Sequence, residues 1–286
     1  MALSAQKALL RPLAAEGRIA WFGYLSSTGV YGDWQGEWVD ESSPCRQTSS
    51  KAIVRQEAES AWMQLHTQHG LPTHVFRLGG IYGPGRSVLD SLTAQSAELS
   101  SSKQRRGRQR YTARCHVYDI AAVLAASMAA PRPGSVYNVA DDEPAPRGKV
   151  AAFARILVGQ PAQAAPSGGD GSGWATAETT EAVQEAASEA PDAPAAAGLT
   201  GGERTQQSRD GSGDGDGDGD SRRAGDSSAR SRSRSPQALE EKRVRNALIK
   251  SELGVRLRYP TYREGVAAIH GGDLWPLTGE DLRLLR

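Results

Sequence analysis

The chain has 286 residues, a formal net charge of +1 and two cysteines. That near balance excludes a global field steering the protein to nucleic acid or a membrane surface. Cys45 and Cys115 are too far apart in sequence to imply a disulfide framework, which makes a reducing compartment, cytosol or plastid stroma, the expectation. No run approaches the ~20 apolar residues of a membrane span.

Composition changes abruptly within the chain. The 76 residues from Pro161 to Pro236 contain only three large apolar side chains, Trp174, Val183 and Leu199. Such a stretch cannot bury enough surface to offset the entropy of ordering it, so a disordered insert is predicted. Setting it aside leaves 210 residues of ordinary globular mix, in 1–160 and 237–286.

In chain order, Ser4 to Glu16 reads as a helix with Leu9, Leu10 and Leu13 on one side and Gly17 at its end. Lys7, Arg11 and Arg18, with no acid before Glu16, also have the flavour of a targeting peptide. The structural reading is preferred, because the segment runs straight into Ile19–Leu25, an apolar run suited to a strand buried on both faces. A polar loop, Ser26–Gly36, follows. Ser49 to His69 is helical in pattern, with Val54, Ala58, Ala61 and Leu65 on one stripe, Gly70 at the C-cap and Pro72 barring continuation.

Thr73–Leu78 is the next strand, and the glycines from Gly79 to Gly85 make a turn. Further helices are predicted over Asp119–Ala130, Val150–Val158 and Ala238–Leu253, with a short strand at Ser135–Val139. Strand, helix and strand joined by short connections form a βαβ crossover. The alternation argues α/β with a parallel sheet.

Several segments, in a fixed order, carry a resemblance. They are Tyr24-Leu25-Ser26-Ser27-Thr28-Gly29-Val30-Tyr31-Gly32, Asp40-Glu41 with Pro44, and Phe76-Arg77-Leu78-Gly79-Gly80-Ile81-Tyr82-Gly83-Pro84-Gly85-Arg86. After these come Arg114-Cys115-His116-Val117-Tyr118-Asp119-Ile120, Tyr137-Asn138-Val139, Leu253-Gly254 and Tyr262-Arg263-Glu264-Gly265. Together they resemble the extended short-chain dehydrogenases/reductases of the NAD-dependent epimerase/dehydratase type, in an atypical plant, algal and bacterial branch.

The resemblance implies a partial Rossmann-like, doubly wound parallel sheet lacking its first strands, with a small C-terminal lobe. Residues 1–160 would be the C-terminal part of the dinucleotide domain with part of the substrate lobe. Residues 237–286 would be the rest of that lobe. By position Ser27 matches the serine that hydrogen-bonds the reacting oxygen, and Lys51 the lysine that lowers a tyrosine's pKa and holds the cofactor ribose. Leu25, Ser26, Leu78, Gly79, Gly80 and Ile81 would line the NAD or NADP site, and Arg86 and Arg114 would meet a small-molecule substrate. No membrane partner is implied, and the resemblance leaves room for a homodimer.

Two departures stand out. Four residues before Lys51, where the family has tyrosine, stands Gln47, which exchanges hydrogen bonds but does not titrate. No Gly-x-Gly-x-x-Gly pattern precedes Ser27, so the pyrophosphate-binding turn at a helix N-terminus is missing. Gly80 to Gly85 has a similar spacing but contains Pro84 and lies after the catalytic strand. At ~30 residues per βαβ unit, the expectation is a chain short of on the order of 80 residues. It would have an unpaired strand edge and bind NAD or NADP weakly or not at all.

Other signals read more plainly. The Asp210–Asp220 run has Gly225 at the twelfth position counted from Asp214, where a calcium loop needs a bidentate Glu; a solvated acidic linker fits better. Arg230 to Pro236 holds too few Arg-Ser repeats to favour RNA over a low-complexity loop. Lys103 to Arg110 could meet an anionic substrate or be a solvated basic loop. His66 and His69 lack partners for a zinc set.

Three readings therefore stand: an NAD(P)-linked oxidoreductase, epimerase or dehydratase acting on a carbonyl or sugar-like substrate; a non-catalytic dinucleotide-binding scaffold of the same fold; and an interaction protein acting through its insert.

Overall fold

The computed structural model describes residues 2–93, 107–160 and 239–276. In chain order these form α1 (Ala2–Ala15), β1 (Phe22–Ser27), a 3-10 turn (Thr28–Tyr31), β2 (Trp38–Val39), α2 (Ser50–His69), β3 (Thr73–Leu78), β4 (Gly80–Tyr82) and α3 (Val88–Thr93). There follow β5 (Arg114–His116), α4 (Val117–Ala129), β6 (Val136–Val139), α5 (Arg147–Leu157), β7 (Arg243–Val244), α6 (Ala247–Ser251) and α7 (Tyr262–His270). All belong to one structural unit spanning 1–191 and 238–286; a second unit, Asp192–Gln237, lies outside the described residues. So do the Asp210–Asp220 and Arg230–Pro236 stretches and the first part of the Lys103–Arg110 run.

The main sheet is parallel, in the order β1-β3-β6. β1 lies against β3 from Phe22 opposite Thr73 to Ser27 opposite Leu78, and α2 is the crossover between them. Gly70, at φ +69°, ends α2 by turning its N–H back to Leu65 and His66, a reversal that glycine makes without Cβ strain. All six residues of β3 are buried. On one face α1 and α2 contribute Ala14, Trp62 and Leu65, packed with Phe22 and Tyr24. On the other, Ile120 and Val123 of α4 and Ile249 of α6 pack on Phe76, Tyr137 and Val139. This is the α/β layering that the alternation predicts.

β1 differs from the expected Ile19–Leu25 strand. It starts at Phe22 because the Trp21 ring folds over Gly23 and donates its indole N–H to Ser127 Oγ at 3.0 Å. Nor is it buried on both faces: Leu25 is 49% exposed, and β1 pairs with no described strand besides β3.

The stripe expected on α2 is rotated as well. The buried residues are Ala52, Glu59, Trp62 and Leu65, whereas Val54 is 63% exposed. Trp62 sets the face, and the buried carboxylate of Glu59 has a partner that periodicity does not register.

The C-terminal lobe collects α3, α5 and α7 around Tyr82, Phe153, Tyr262 and Val266. Two small parallel ladders connect it to the sheet, β2 with β7 and β4 with β5. Three expectations are corrected here. Gly80–Tyr82 is a strand, and the turn itself is confined to Gly83–Arg86. Arg114–His116 is a strand as well, feeding directly into α4. The Ala238–Leu253 helix is only Ala247–Ser251, because Arg243 and Val244 pair with β2. In each case a ladder with a sequence-distant strand overrides local propensity.

Candidate functional site

Ser27 is the last residue of β1 and the N-cap of the 3-10 turn, its Oγ accepting the Gly29 N–H at 3.1 Å. Used as an acceptor there, the hydroxyl retains its own O–H for another oxygen. The turn closes at Gly32, whose φ is +70° and where a Cβ would collide with the Arg46 carbonyl; only glycine fits. Arg46 N–H in turn donates to the Tyr31 carbonyl at 3.0 Å. The loop carrying Gln47 is thereby strapped to the turn carrying Ser27.

Lys51 stands exposed in the first turn of α2, and α2 packs against β1, β3 and the 3-10 turn. Among the described residues no hydrogen bond joins Ser27 to Lys51. Gln47 is half-buried; its amide donates to Gln56 Oε1, while its own Oε1 is buried without a partner. Leu25, exposed, lies two residues before the end of β1, and Leu78, buried, is the last residue of the neighbouring β3. Gly79 is buried, and Gly80 and Ile81 continue into β4. A Cβ on Gly79 would come within 3.0 Å of the Arg114 backbone, so the close passage of β5 depends on glycine. Ser26 is turned away from this end: its Oγ donates to Glu59 Oε1.

Below Ser27 lies a buried polar network. Arg77 donates to Glu59 through Nη2 at 2.8 Å and Nε at 3.2 Å, and to the Tyr31 hydroxyl through Nη1 at 3.0 Å. Tyr31 donates to Asn138 Oδ1 at 2.8 Å. The Asn138 backbone N–H reaches Glu41 at 2.8 Å, and its side-chain amide reaches the Arg245 carbonyl at 3.1 Å. Burial works against the Arg77 charge, yet Glu59 and Tyr31 hold its pKa above the ordinary value.

Burial also pushes the Tyr31 phenol up to about 12 and raises that of Tyr24, which lies against Trp62. Tyr31 is fully buried with its hydroxyl committed twice. Burial thus moves both phenols away from the near-neutral pKa that suits proton transfer.

Two features escape the sequence reading. Lys242, just past the insert, buries its ammonium on the Gly32 carbonyl at 2.8 Å, and burial lowers its pKa from 10.5 to about 8. Glu241 accepts from the Arg110 backbone N–H at 2.6 Å and from its guanidinium at 3.0 Å. Segments 131 and 210 residues apart carry no periodic signal that they meet. Of the predicted substrate residues, Arg86 is exposed in the turn after β4, whereas Arg114 is buried in β5 with Nη1 on the Thr112 carbonyl at 2.8 Å. His66 uses Nδ1 on the Leu71 carbonyl at 2.9 Å. Among the described residues no cluster of three metal-ligating side chains occurs, and no helix is long and apolar enough to cross a membrane.

Comparison with known proteins places this geometry. A family model described as the NAD dependent epimerase/dehydratase family matches residues 5–140. Protein YeeZ of Escherichia coli (strain K12) is 31% identical over 144 residues, which is 49% of this chain and 47% of YeeZ. The chain thus spans about half the length of the curated relatives it matches. Among solved structures, a functionally unknown conserved protein from Silicibacter pomeroyi DSS is 34% identical, with a TM-score of 0.59 over 92% of this chain and 71% of that one. RMD from Pseudomonas aeruginosa, complexed with NADPH, shares the fold at 14% identity, with a TM-score of 0.51 over 88% of this chain and 65% of that one.

Proposed function

Since the chain belongs to the NAD dependent epimerase/dehydratase family, we propose that it meets a nicotinamide dinucleotide, NAD or NADP, at the carboxyl ends of β1 and β3 and acts there on a carbonyl or sugar-like substrate. The observation that carries this reading is the parallel β1-α2-β3 crossover, whose two strands end side by side at Ser27 and Leu78. Ligands of doubly wound sheets bind at such carboxyl ends. In the neighbour RMD the bound dinucleotide is NADPH.

Ser27 would hold the reacting oxygen with its free O–H, Lys51 would reach the ribose, and Leu25, Leu78, Gly79, Gly80 and Ile81 would face the nicotinamide end. Ser26, engaged with Glu59, would act through its backbone. Arg86 and Arg114 would address the substrate. The proton of the reaction does not pass through Gln47, which has no titrating group.

A second reading, a dinucleotide-binding scaffold without turnover, is favoured by one specific arrangement. Gln47 is tied to Gln56, and Tyr31 is fully buried with its hydroxyl held by Arg77 and Asn138.

Fluorescence titration with NADH and NADPH tests the proposal. The sequence supplies no Gly-rich phosphate turn, so affinity is expected to be roughly millimolar, on the order of 4 kcal/mol, and weaker still in Lys51→Met. Absence of any saturable change at several times that concentration would remove the dinucleotide reading for this chain. If binding occurs, Gln47→Tyr separates the two readings. Turnover already present in the wild type and lost in Ser27→Ala supports the enzyme, whereas turnover gained only in Gln47→Tyr supports the scaffold.

A further inference from the structure

The short β2–β7 ladder turns one face inward and one outward. Val39 and Val244 are 1% and 2% exposed and pack with Tyr31 and Ala140. Alternation along extended strands therefore sends Trp38, Arg243 and Arg245 to the opposite face. There Trp38 and Arg245 are exposed and Arg243 is half-buried.

On that face guanidinia and rings alternate. The guanidinium carbons of Arg243 and Arg245 each lie 5.1 Å from the centre of the Trp38 ring. Arg243 also lies 4.9 Å from the centre of the half-buried Tyr111 ring, and Arg110 lies 5.7 Å from it. All four contacts fall within cation–π range. Segments distant in sequence thus make one continuous surface, and a single short ligand segment spans the two arginines that share Trp38.

Charge on this surface is unevenly compensated. Arg110 is paired with Glu241 at 3.0 Å. Arg243 gives Nε to a neutral acceptor, the Gly36 carbonyl at 2.7 Å. Among the described residues neither Arg243 nor Arg245 has a carboxylate partner.

A guanidinium laid against a ring keeps its N–H edge for a carboxylate. Arg243 and Arg245, two residues apart on one strand, are spaced about 6.5 Å along it, and an extended peptide repeats its alternate side chains at the same interval. Two carboxylates of such a peptide meet the two arginines in register. Single-stranded nucleic acid fits less well, because it stacks bases on open aromatic faces, and Trp38 and Tyr111 already carry guanidinia. A net charge of +1 also supplies no field to gather a polyanion.

We propose that the outer face of the β2–β7 ladder is a docking surface for an extended acidic segment of a partner protein, with alternate carboxylates on Arg243 and Arg245 and with Trp38 holding both guanidinia in place. The inference goes beyond the dinucleotide reading and shares no residue with it, so either stands if the other fails.

The test is fluorescence anisotropy of a short labelled peptide of alternating glutamate and threonine, titrated with the full 286-residue chain. The matching glutamine–threonine peptide and an oligouridylate of the same length are the controls. Saturable binding that weakens with added salt is expected for the glutamate peptide. Arg245→Gln should weaken it about tenfold by removing charge-assisted hydrogen bonds, while the ladder bond of Arg245, made by its backbone N–H, is retained. Trp38→Leu should weaken it a few-fold although both charges remain. Arg256→Gln, which removes an exposed charge elsewhere, should leave it unchanged. Should Arg245→Gln melt early, Arg245→Lys reports instead, keeping the charge without the planar fork and weakening binding a few-fold.

No saturable binding of the glutamate peptide would overturn the surface. Equal binding of the glutamine peptide would do the same, as would equal losses in Arg245→Gln and Arg256→Gln. Tighter binding of oligouridylate would replace the acidic partner with a nucleic acid.

Discussion

Two buried arginines, Arg77 and Arg114, are 8% and 9% exposed, and their surroundings could hardly differ more. Arg77 spreads its donors over Glu59 and Tyr31. Arg114 makes one side-chain hydrogen bond, to a carbonyl two residues away, and leaves Nη2 unpaired. Burying a guanidinium is costly in either place. Around Arg77 the partners outweigh that cost and its pKa is raised; around Arg114 burial outweighs the attraction of Asp141 and its pKa is lowered. Accessibility alone would rank the two residues together.

The largest effect should come from breaking the satisfied side. Glu59→Gln leaves Arg77 buried without its counter-charge, and a loss of about 3–5 kcal/mol in urea unfolding is expected. A loss below 1 kcal/mol would mean that the network does not hold β3 to α2.

Tyr31→Phe removes the acceptor of one Arg77 bond and the donor to Asn138, for an expected loss of roughly 1–3 kcal/mol. Any residual turnover should keep its pH profile, since a phenol pushed to about 12 takes no part in it; a shifted profile would return Tyr31 to the chemistry.

On the unsatisfied side the sign reverses. The folded-state pKa of Asp141 lies well above 3.8, so its penalty is absent below the unfolded value. The penalty grows as pH rises through the folded value, because the unfolded chain gives up the proton first. Asp141→Asn should therefore match the wild type near pH 4 and be more stable by about 1 kcal/mol or more at neutral pH. A gap that stays constant with pH would contradict this. Arg114→Met should do least, changing stability by less than about 1 kcal/mol, because burial disfavours the Arg114 charge more than Asp141 favours it. A loss comparable to that of Glu59→Gln would show that Arg114 is scaffolding after all.

How far the sequence could be read follows the same division. Thr73–Leu78 was legible to the residue, because Pro72 and Gly79 bound it and Val75, Phe76 and Leu78 mark it as buried; that Thr73, His74 and Arg77 are buried with them was not. The strand-to-loop segment carrying Ser27 was found by resemblance, although β1 runs on to Ser27 where the apolar run stops at Leu25. The face of α2 was not: a stripe rule that counts apolar residues cannot foresee that Glu59 is buried because Arg77 waits 18 residues later. Ladders of two or three residues, such as β2 with β7, carry too little pattern to be found and are fixed by what lies across from them. The surroundings of Arg114 were half visible. Arg114 could be picked out by resemblance, but Asp141 gains meaning only when β5 and the end of β6 come together.

The ladder between β2 and β7 has a topological consequence. Residues 239–245 are threaded along the loop that follows Ser27: Glu241 accepts from the Trp34 N–H at 2.8 Å, Arg243 N–H reaches the Glu37 carbonyl at 2.9 Å, and Lys242 grips Gly32. The two stretches 2–160 and 239–276 are interlocked like clasped hands, so peptide continuity between them is not what keeps them together. A chain severed once at an engineered protease site between 160 and 239 should elute as a single two-piece species in gel filtration. Two separate peaks would mean that the clasp is weaker than its bonds suggest.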